Sequence, residues 1–393
     1  MMFAIQLVIL AGLSTGAVPL DAEEGAKPES VSKVTLLRVP DGGIQPQLAI
    51  DSKGHVHLIY FSGDPMGGDI FYVRSDDAGR TFSRRLRVNS QPGSAIAIGN
   101  IRGAHLAIGK HERVHVAWNG SGKAEPKGSG GASPMLYSRL NDAGDAFEPQ
   151  RNLIHSAFGL DGGGSVAADH VGNVYVAWHA PRPGSQGEEN RQVWITRSTD
   201  EGKSFAPEKA AFEERTGACG CCGLRVFAGN NGGVYLLYRA ARDHRHRDMF
   251  LLTSTNHGTR FEGECVSQWD IASCPMTTAA FAEAVHGVLA AWESKGQVFN
   301  ARIDSETGKR SRTIAAPGET PGRKYPAVAC NSNGETILVW TEQMSWNRGG
   351  SVVWQVYDRD GSPRTERGRA AGVPTWSLVA VFVRPDGGFT VVY

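Results

Sequence analysis

The sequence predicts an all-β protein that folds as a β-propeller with seven blades of four antiparallel strands. Three observations lead to this prediction. A strand motif ends in an aromatic residue at steps of 48 to 60 residues, each repeat holds about four short strands, and a turn motif recurs in register with them. Repeats of about this length are typical of propellers, solenoids and arrays.

The recurring strand motif joins a turn containing Gly or Asn to an alternating apolar segment, such as HVHLIY in the first copy and FTVVY in the last. Alternation with period two places one face of a strand inward. Seven copies therefore predict seven blades. The aromatic residues that end the copies are Tyr60, Trp118, Trp178, Tyr238, Trp292, Trp340 and Tyr393.

Each repeat has the strand content of one propeller blade. In the first repeat the predicted strands cover residues 47–51, 55–60, 70–75 and 84–88. The last repeat has only its two inner strands. Residues 33–39 are therefore expected to complete the seventh blade from the N-terminal side and to remove its open edge. Six blades with an additional hairpin are the alternative.

The turn motif reads SDDAGRTF at residues 75–82 and STDEGKSF at residues 198–205, with looser copies at 140–147 and 254–261. It resembles the Asp-box (BNR) repeats of sialidases, whose pattern is S-x-D-x-G-x-T-F. In such a turn Asp or Asn bonds the backbone that follows it, and Gly takes a positive φ. The resemblance implies a sialidase-like propeller over nearly the whole chain. It implies nothing about catalysis, because the same box occurs in propellers that are not enzymes.

The composition argues against two classes of partner. The chain has 393 residues, 41 basic and 40 acidic side chains, and a net charge of +1. Such a balance provides no broad basic surface for nucleic acid. Beyond the N-terminal run described next, no apolar stretch approaches the length of a membrane span.

The N-terminus carries an apolar run, FAIQLVILAGL, at residues 3–13, followed by small residues. This pattern predicts a signal peptide over residues 1–22 and a propeller over residues 28–393, in a periplasmic or extracellular protein. No Lys or Arg precedes the run, and a buried first strand is the alternative interpretation.

Because neighbouring strands alternate in direction, two kinds of loop lie on the same face of the propeller. They are the loops between second and third strands and the loops that enter each new blade, and we call this face the mouth face. The turn motifs lie on the opposite face. The loop RAARDHRHRD brings four arginines and two histidines to the mouth face of blade four, and such a patch suits a carboxylate, phosphate or sulfate group. The residues predicted to bind an anionic ligand are Arg239, Arg242, His244, Arg245, His246 and Arg323.

Sialidases of this fold bind the substrate carboxylate with three arginines, use a Tyr paired with a Glu as nucleophile, and use an Asp as acid. Their first arginine lies in an R-I-P motif, which aligns here with residues 44–46, Ile-Gln-Pro, so that arginine is absent. Residues 323–327, RKYPA, are similar to the motif but lie in blade six. No Tyr–Glu pair is placed, and the catalytic residues stay unknown.

Three functional hypotheses follow. The first is a glycoside hydrolase of the exo-α-sialidase type that acts on an acidic glycan. The second is a binding propeller that recognises an anionic carbohydrate or protein partner without cleaving it, and the absence of the R-I-P arginine favours it over the first. The third is a metal-dependent or redox role for a cluster of cysteines.

The cysteine cluster lies on two neighbouring loops of the mouth face, GACGCCGLR at residues 217–225 and SCPM at residues 273–276. The simplest interpretation is a disulfide between Cys274 and Cys219, Cys221 or Cys222, which an oxidising compartment allows. Soft ligands of this kind also suit copper or zinc, with His244, His246 and two methionines as further donors. Cys330 is expected to be a buried free thiol. The run from residue 217 to residue 276 resembles a group of bacterial exported sialidase-like propellers, which implies no activity.

Overall fold

The computed structural model describes residues 33–393 and confirms the predicted all-β propeller with seven blades. Six sheets have four strands, and the seventh has three. The predicted signal peptide, residues 1–22, and the first residues of the predicted propeller, 28–32, lie outside the described residues. We number the strands β1 to β27 in chain order and the blades one to seven from β2 onward.

Each blade radiates from the propeller axis, with its first strand innermost. The innermost strands of blades one to seven are β2 (Ile44–Ile50), β6 (His105–Ile108), β10 (Gly164–Ala168), β14 (Arg225–Ala228), β18 (Ala279–Ala284), β22 (Lys324–Cys330) and β26 (Ala380–Val383). The second strands are β3 (Val56–Ser62), β7 (Val114–Asn119), β11 (Val174–Pro181), β15 (Val234–Arg239), β19 (Gly287–Ser294), β23 (Thr336–Glu342) and β27 (Phe389–Val392).

The outer strands complete the blades. The third strands of blades one to six are β4 (Asp69–Ser75), β8 (Met135–Arg139), β12 (Arg191–Ser198), β16 (Met249–Ser254), β20 (Gln297–Ile303) and β24 (Gly350–Tyr357). The fourth strands are β5 (Leu86–Arg87), β9 (Arg151–Asn152), β13 (Lys209–Ala210), β17 (Glu262–Ser267), β21 (Ile314–Ala315) and β25 (Pro363–Val373). Four of these fourth strands have only two residues, so the predicted outer strand of blade one at residues 84–88 is shorter than expected.

Helical structure in the described residues is confined to short 3-10 turns. They are Pro40–Gly42, Lys110–Glu112, Ser129–Gly131 and Glu188–Asn190. In the described part of the chain we find no helix with the length and apolarity that crossing a membrane requires.

Strand β1 (Val34–Leu37) closes the ring by pairing with β27, as the sequence predicted for residues 33–39. The pairing is parallel, with Val34 opposite Phe389, whereas the other strand pairs within residues 33–393 are antiparallel. The direction follows from the connectivity. The chain must leave β1 at the mouth face to begin blade one, and β27 also ends at that face. The seventh blade is therefore three-stranded, and the structure does not show the six-bladed alternative.

The hydrophobic core consists of separate clusters, one between each pair of neighbouring blades. Trp118, Trp178, Trp292 and Trp340 lie near the ends of their second strands and are 0% exposed. The aromatic residue of each repeat thus fills an interface between blades, which explains its regular recurrence in the sequence.

The segments with the recurring turn motif connect third to fourth strands and lie on the face opposite the mouth. In the first copy Asp77 accepts hydrogen bonds from the Thr81 backbone N–H at 2.9 Å and from the Thr81 hydroxyl at 2.7 Å. Gly79 has a φ of +86°, which favours glycine, and donates to the Ser75 hydroxyl at 2.8 Å. These bonds close the turn within itself. Because the turn lies on the face opposite the mouth, the side chains of the mouth face come from other loops.

Phe389 provides a test of ring closure, because it is 0% exposed between blades six and seven and pairs with β1. We expect Phe389→Ala to lower the free energy of unfolding by about 3–5 kcal/mol, the usual effect of removing a buried phenyl ring. Val285→Ala, at an exposed position, is the control and should change it by less than about 0.5 kcal/mol. Chemical denaturation measures both. A small effect of Phe389→Ala would show that the last interface contributes little to closure.

Candidate functional site

The arginine-rich loop of blade four is neutralised within the protein. Arg242 pairs with Asp248 at 3.0 Å, and Arg245 pairs with Asp270 at 2.9 Å. His244 is exposed and His246 is half-buried. The structure therefore places these predicted ligand-binding residues on the mouth face, with both arginines already bound to carboxylates.

Arg239 lies in the interior rather than on the surface, with 1% of its area exposed. It donates to the Arg247 carbonyl at 2.7 Å and to the Thr277 hydroxyl at 3.2 Å. It also donates to the Glu293 carbonyl. Arg239 thus joins blade four to blade five, and a ligand at the surface cannot reach it.

Arg323 has a similar structural position in blade six. It is fully buried, lies 3.2 Å from Glu342, and donates to the Gln297 side chain at 3.1 Å. Its guanidinium carbon is 5.3 Å from the centre of the Trp340 ring. Arg323 is therefore held inside blade six by Glu342 and Gln297, and the arginine of RKYPA is not exposed to a ligand at the surface.

A cavity of about 530 Å³ runs between the innermost strands along the propeller axis. This size is within the range of small-molecule sites. Near the mouth, polar side chains from four blades line its wall, and we call them the polar tier. The polar tier consists of Gln47, His105, Arg225 and Tyr325.

None of the residues of this tier was predicted from the sequence as a binding residue, and Arg225 is its charged member. It is the last letter of the GACGCCGLR run and the first residue of β14. One terminal nitrogen, Nη1, contacts Gln47 Oε1 at 2.7 Å and His105 Nδ1 at 2.8 Å. Its Nε has no partner, and no carboxylate of the described residues pairs with it. Burial lowers the pKa of Arg225 to about 10, so the group is a cation at neutral pH.

His105 beside it is neutral. Burial, and then the charge of Arg225, lower the pKa of His105 well below its ordinary value. Its Nδ1 faces the arginine donor at 2.8 Å and the Ser165 hydroxyl at 2.8 Å. Because arginine can only donate, His105 Nδ1 must accept, and the ring proton is on Nε2. The polar tier therefore carries one uncompensated positive charge surrounded by neutral hydrogen-bonding groups.

Tyr325 belongs to this tier, and Glu293 lies close to it. Glu293 is 1% exposed, and its Oε2 has no partner among the described residues. Burial raises the pKa of Glu293 to about 7. Burial, followed by the nearby Glu293, raises the pKa of the Tyr325 hydroxyl. The structure thus places a Tyr and a Glu close together, which the sequence analysis did not, but the Tyr is a weak nucleophile in this state.

The rim above the cavity is built from loops of several blades. Trp346 is 47% exposed and contacts Trp376 edge to face, with 5.8 Å between the ring centres. A Cβ placed on Gly99 would be 3.0 Å from the Met276 methyl and 3.1 Å from Trp346. Gly99 therefore allows the close approach of three loops at the mouth.

The cysteine loops meet beside the mouth, as their position in the fold predicted. Sulfur atoms of Cys219, Cys221 and Cys274 and a carboxylate oxygen of Glu188 all lie within 4.8 Å of one another. Cys219 and Cys221 are 3.5 Å apart at their sulfur atoms. We call these four residues the thiol cluster. His244 and His246 do not belong to it.

Backbone contacts fix the loop that carries the thiol cluster. The Cys219 N–H donates to the Arg239 carbonyl at 2.9 Å, and the Gly220 N–H donates to Glu188 Oε1 at 2.8 Å. The other carboxylate oxygen of Glu188 is 2.7 Å from Arg247. Blades three, four and five each contribute to the cluster, so its geometry depends on their packing.

All six cysteines lie in the described part of the chain, and all are free thiols there. The predicted disulfide of Cys274 with Cys219, Cys221 or Cys222 is thus not shown. Hydrogen bonds with Cys221 and Cys222, together with burial, raise the pKa of the Cys219 thiol. Cys330 is half-buried at the end of β22 rather than fully buried, and burial raises its pKa.

No known family model and no curated protein matches the chain. Similar solved structures include an α-L-arabinanase of Penicillium chrysogenum complexed with arabinobiose, with 13% identity, a TM-score of 0.50, and coverage of 83% of this chain and 96% of the other. The NanB sialidase of Streptococcus pneumoniae has 12% identity, a TM-score of 0.44, and coverage of 88% and 64%. A Dyadobacter fermentans protein of unknown function has 14% identity, a TM-score of 0.49, and coverage of 79% and 93%. At 13% identity, the likeness to the arabinanase supports the fold alone.

The buried Glu293 carboxyl should make stability depend on pH. Its pKa in the folded protein, about 7, is above the ordinary 4.5, so the unfolded chain loses this proton first. The contribution of Glu293 to the free energy of unfolding therefore falls by about 3 kcal/mol in total as the pH rises from about 4.5 to 7. Above pH 7 this contribution is constant.

Glu293→Gln should remove this fall, and the variant should gain stability relative to wild type across that interval. Denaturation at several pH values measures the difference, with the exposed Glu306→Gln as control. Parallel pH profiles for wild type and Glu293→Gln would contradict the raised pKa.

Proposed function

We propose that this chain is an exported binding propeller, periplasmic or extracellular, that takes a small anionic sugar into its central cavity. The observation that supports the proposal best is Arg225, a partly buried cation on the cavity wall that pairs with no carboxylate of the described residues. A desolvated, uncompensated charge is costly to the folded protein. A ligand carboxylate would supply the missing countercharge and accept hydrogen bonds from the unused guanidinium nitrogens.

The surroundings of Arg225 favour a hydroxyl-rich ligand. His105, Gln47 and Tyr325 can donate or accept hydrogen bonds around the same space. The exposed ring of Trp346 at the rim offers an apolar surface for one face of a sugar. The cavity volume of about 530 Å³ suits a monosaccharide or disaccharide rather than a protein partner.

Binding is favoured over glycoside hydrolysis. Three arginines around one carboxylate would be needed for the sialidase type, whereas Arg239 and Arg323 are buried and engaged elsewhere. Tyr325 has a raised pKa, and no hydrogen bond to Glu293 activates it in the described structure. A nucleophile requires such a base within hydrogen-bonding distance.

Replacing Arg225 should weaken binding of a carboxylate sugar. With N-acetylneuraminic acid as the probe, we expect Arg225→Gln to reduce affinity about 10- to 100-fold, because a hydrogen bond to a charged group contributes about 1.5–3 kcal/mol. Arg245→Gln, on the exposed pair with Asp270, is the matched control and should bind as wild type does. Calorimetric titration measures both. Equal affinity of wild type and Arg225→Gln would refute the proposed anchor.

The choice between binding and hydrolysis needs its own experiment. We expect that the protein does not release the fluorophore from a fluorogenic sialoside faster than buffer does. The same compound should nevertheless compete with N-acetylneuraminic acid for the cavity. Tyr325→Phe and Glu293→Gln should leave this result unchanged. Turnover that both variants abolish would instead establish the hydrolase alternative.

A further inference from the structure

The thiol cluster is a separate feature from the cavity and is not used by the proposed sugar site. Cys219 is fully buried, Cys221 and Glu188 are partly buried, and Cys274 is exposed. Three sulfur atoms and one carboxylate oxygen converge within 4.8 Å from three different blades. Four donor groups from three separate loops thus meet at one place.

The spacing of these donors suits a tetrahedral metal ion. With metal–sulfur bonds of about 2.3 Å, neighbouring sulfur atoms around a tetrahedral zinc ion are about 3.8 Å apart. The sulfur atoms of Cys219 and Cys221 are 3.5 Å apart, and the most distant donors need to approach by only about 1 Å to reach this geometry.

The surrounding charges favour a divalent ion. Three thiolates and a carboxylate carry four negative charges, which cannot be assembled without positive charge nearby. The Arg247 guanidinium pairs with Glu188 at 2.7 Å, and Arg191 interacts electrostatically with both Glu188 and Cys219. A divalent ion and two arginines together balance the donor set, whereas a monovalent ion would leave it negative.

Arg247 also lies where an outer-shell partner of the Glu188 carboxylate would lie. It holds one oxygen of Glu188, while the Gly220 N–H holds the other at 2.8 Å. Each carboxylate oxygen retains a further lone pair for a metal. Outer-shell hydrogen bonds of this kind orient ligands in metal sites. Cys222 lies on the buried side, within hydrogen-bonding reach of Cys219, and does not belong to the four donors.

We propose that Cys219, Cys221, Cys274 and Glu188 form a binding site for a zinc-class divalent metal ion beside the propeller mouth. The bound ion joins the loops of blades three, four and five. It also fixes the segment with Cys274 and Met276, and Met276 contacts the Gly99–Trp346 region of the rim. The site thereby fixes part of the rim above the cavity.

Cobalt uptake by the reduced, chelator-treated full chain tests this proposal under anaerobic conditions. We expect one Co²⁺ per chain, with thiolate-to-cobalt charge-transfer absorption and the visible bands of tetrahedral cobalt, and displacement by Zn²⁺. Cys221→Ser and Cys274→Ser should each lower the affinity by more than ~100-fold, since loss of an outer-shell partner alone costs about 10- to 100-fold. Cys265→Ser, an exposed cysteine of the same blade, is the matched control and should bind as wild type does.

The circular dichroism of the metal-free variants should equal that of wild type, because Cys274 is exposed and Cys221 only partly buried. Absence of stoichiometric uptake by the reduced chain would overturn the proposal. Uptake that Cys221→Ser and Cys274→Ser leave unchanged would also overturn it. Mass spectrometry of the chain as exported should find Cys274 as a free thiol with metal present, and a disulfide from Cys274 to Cys219, Cys221 or Cys222 would contradict the metal site.

Discussion

Burial between neighbouring blades is the constraint on which the rest of the structure depends. Each blade is a twisted sheet with two apolar faces, and only the next blade on either side can cover them. The seven hydrophobic clusters lie at these interfaces. A ring has no uncovered end, so the pairing of β1 with β27 is what allows all seven interfaces to exist together.

The closed ring in turn creates a cavity along the propeller axis. The innermost strands of the blades border this cavity, and no further sheet covers them there. Side chains there need not be apolar, and the polar tier occupies this position. The contrast among arginines shows which of them is available for function. Arg239 and Arg323 are buried with carbonyl or carboxylate partners and stabilise contacts within or between blades. Arg225 borders the cavity and pairs with no carboxylate of the described residues, which is why we propose it as the anchor for a ligand.

Periodicity and strand alternation were sufficient to predict the fold, because both reflect the interfaces between blades. The same reasoning placed Cys274 beside Cys219 and Cys221, since loop position depends only on strand direction. The parallel direction of β1 follows from the connectivity of the closed ring, and the number of apolar repeats does not determine it.

The sequence could not predict which side chains form ion pairs with one another. The basic loop of blade four was predicted to bind an anion, but its partners include Asp270 and Glu188, from other segments whose proximity only the folded chain reveals. Arg225 was missed for a related reason. It begins a strand of only four residues, too short for alternation to show which side chains face the axis.

The central claim is that Arg225 forms an anion site in the axial cavity. Anomalous diffraction from a crystal of the full chain soaked in bromide tests it most directly, because the halide reports where an uncompensated positive charge lies. We expect a bromide peak in the cavity in contact with the Arg225 guanidinium, and we expect Arg225→Gln to lose it. Bromide at the arginines of residues 239–247 with none in the cavity, or a carboxylate of the chain found paired with Arg225, would contradict it.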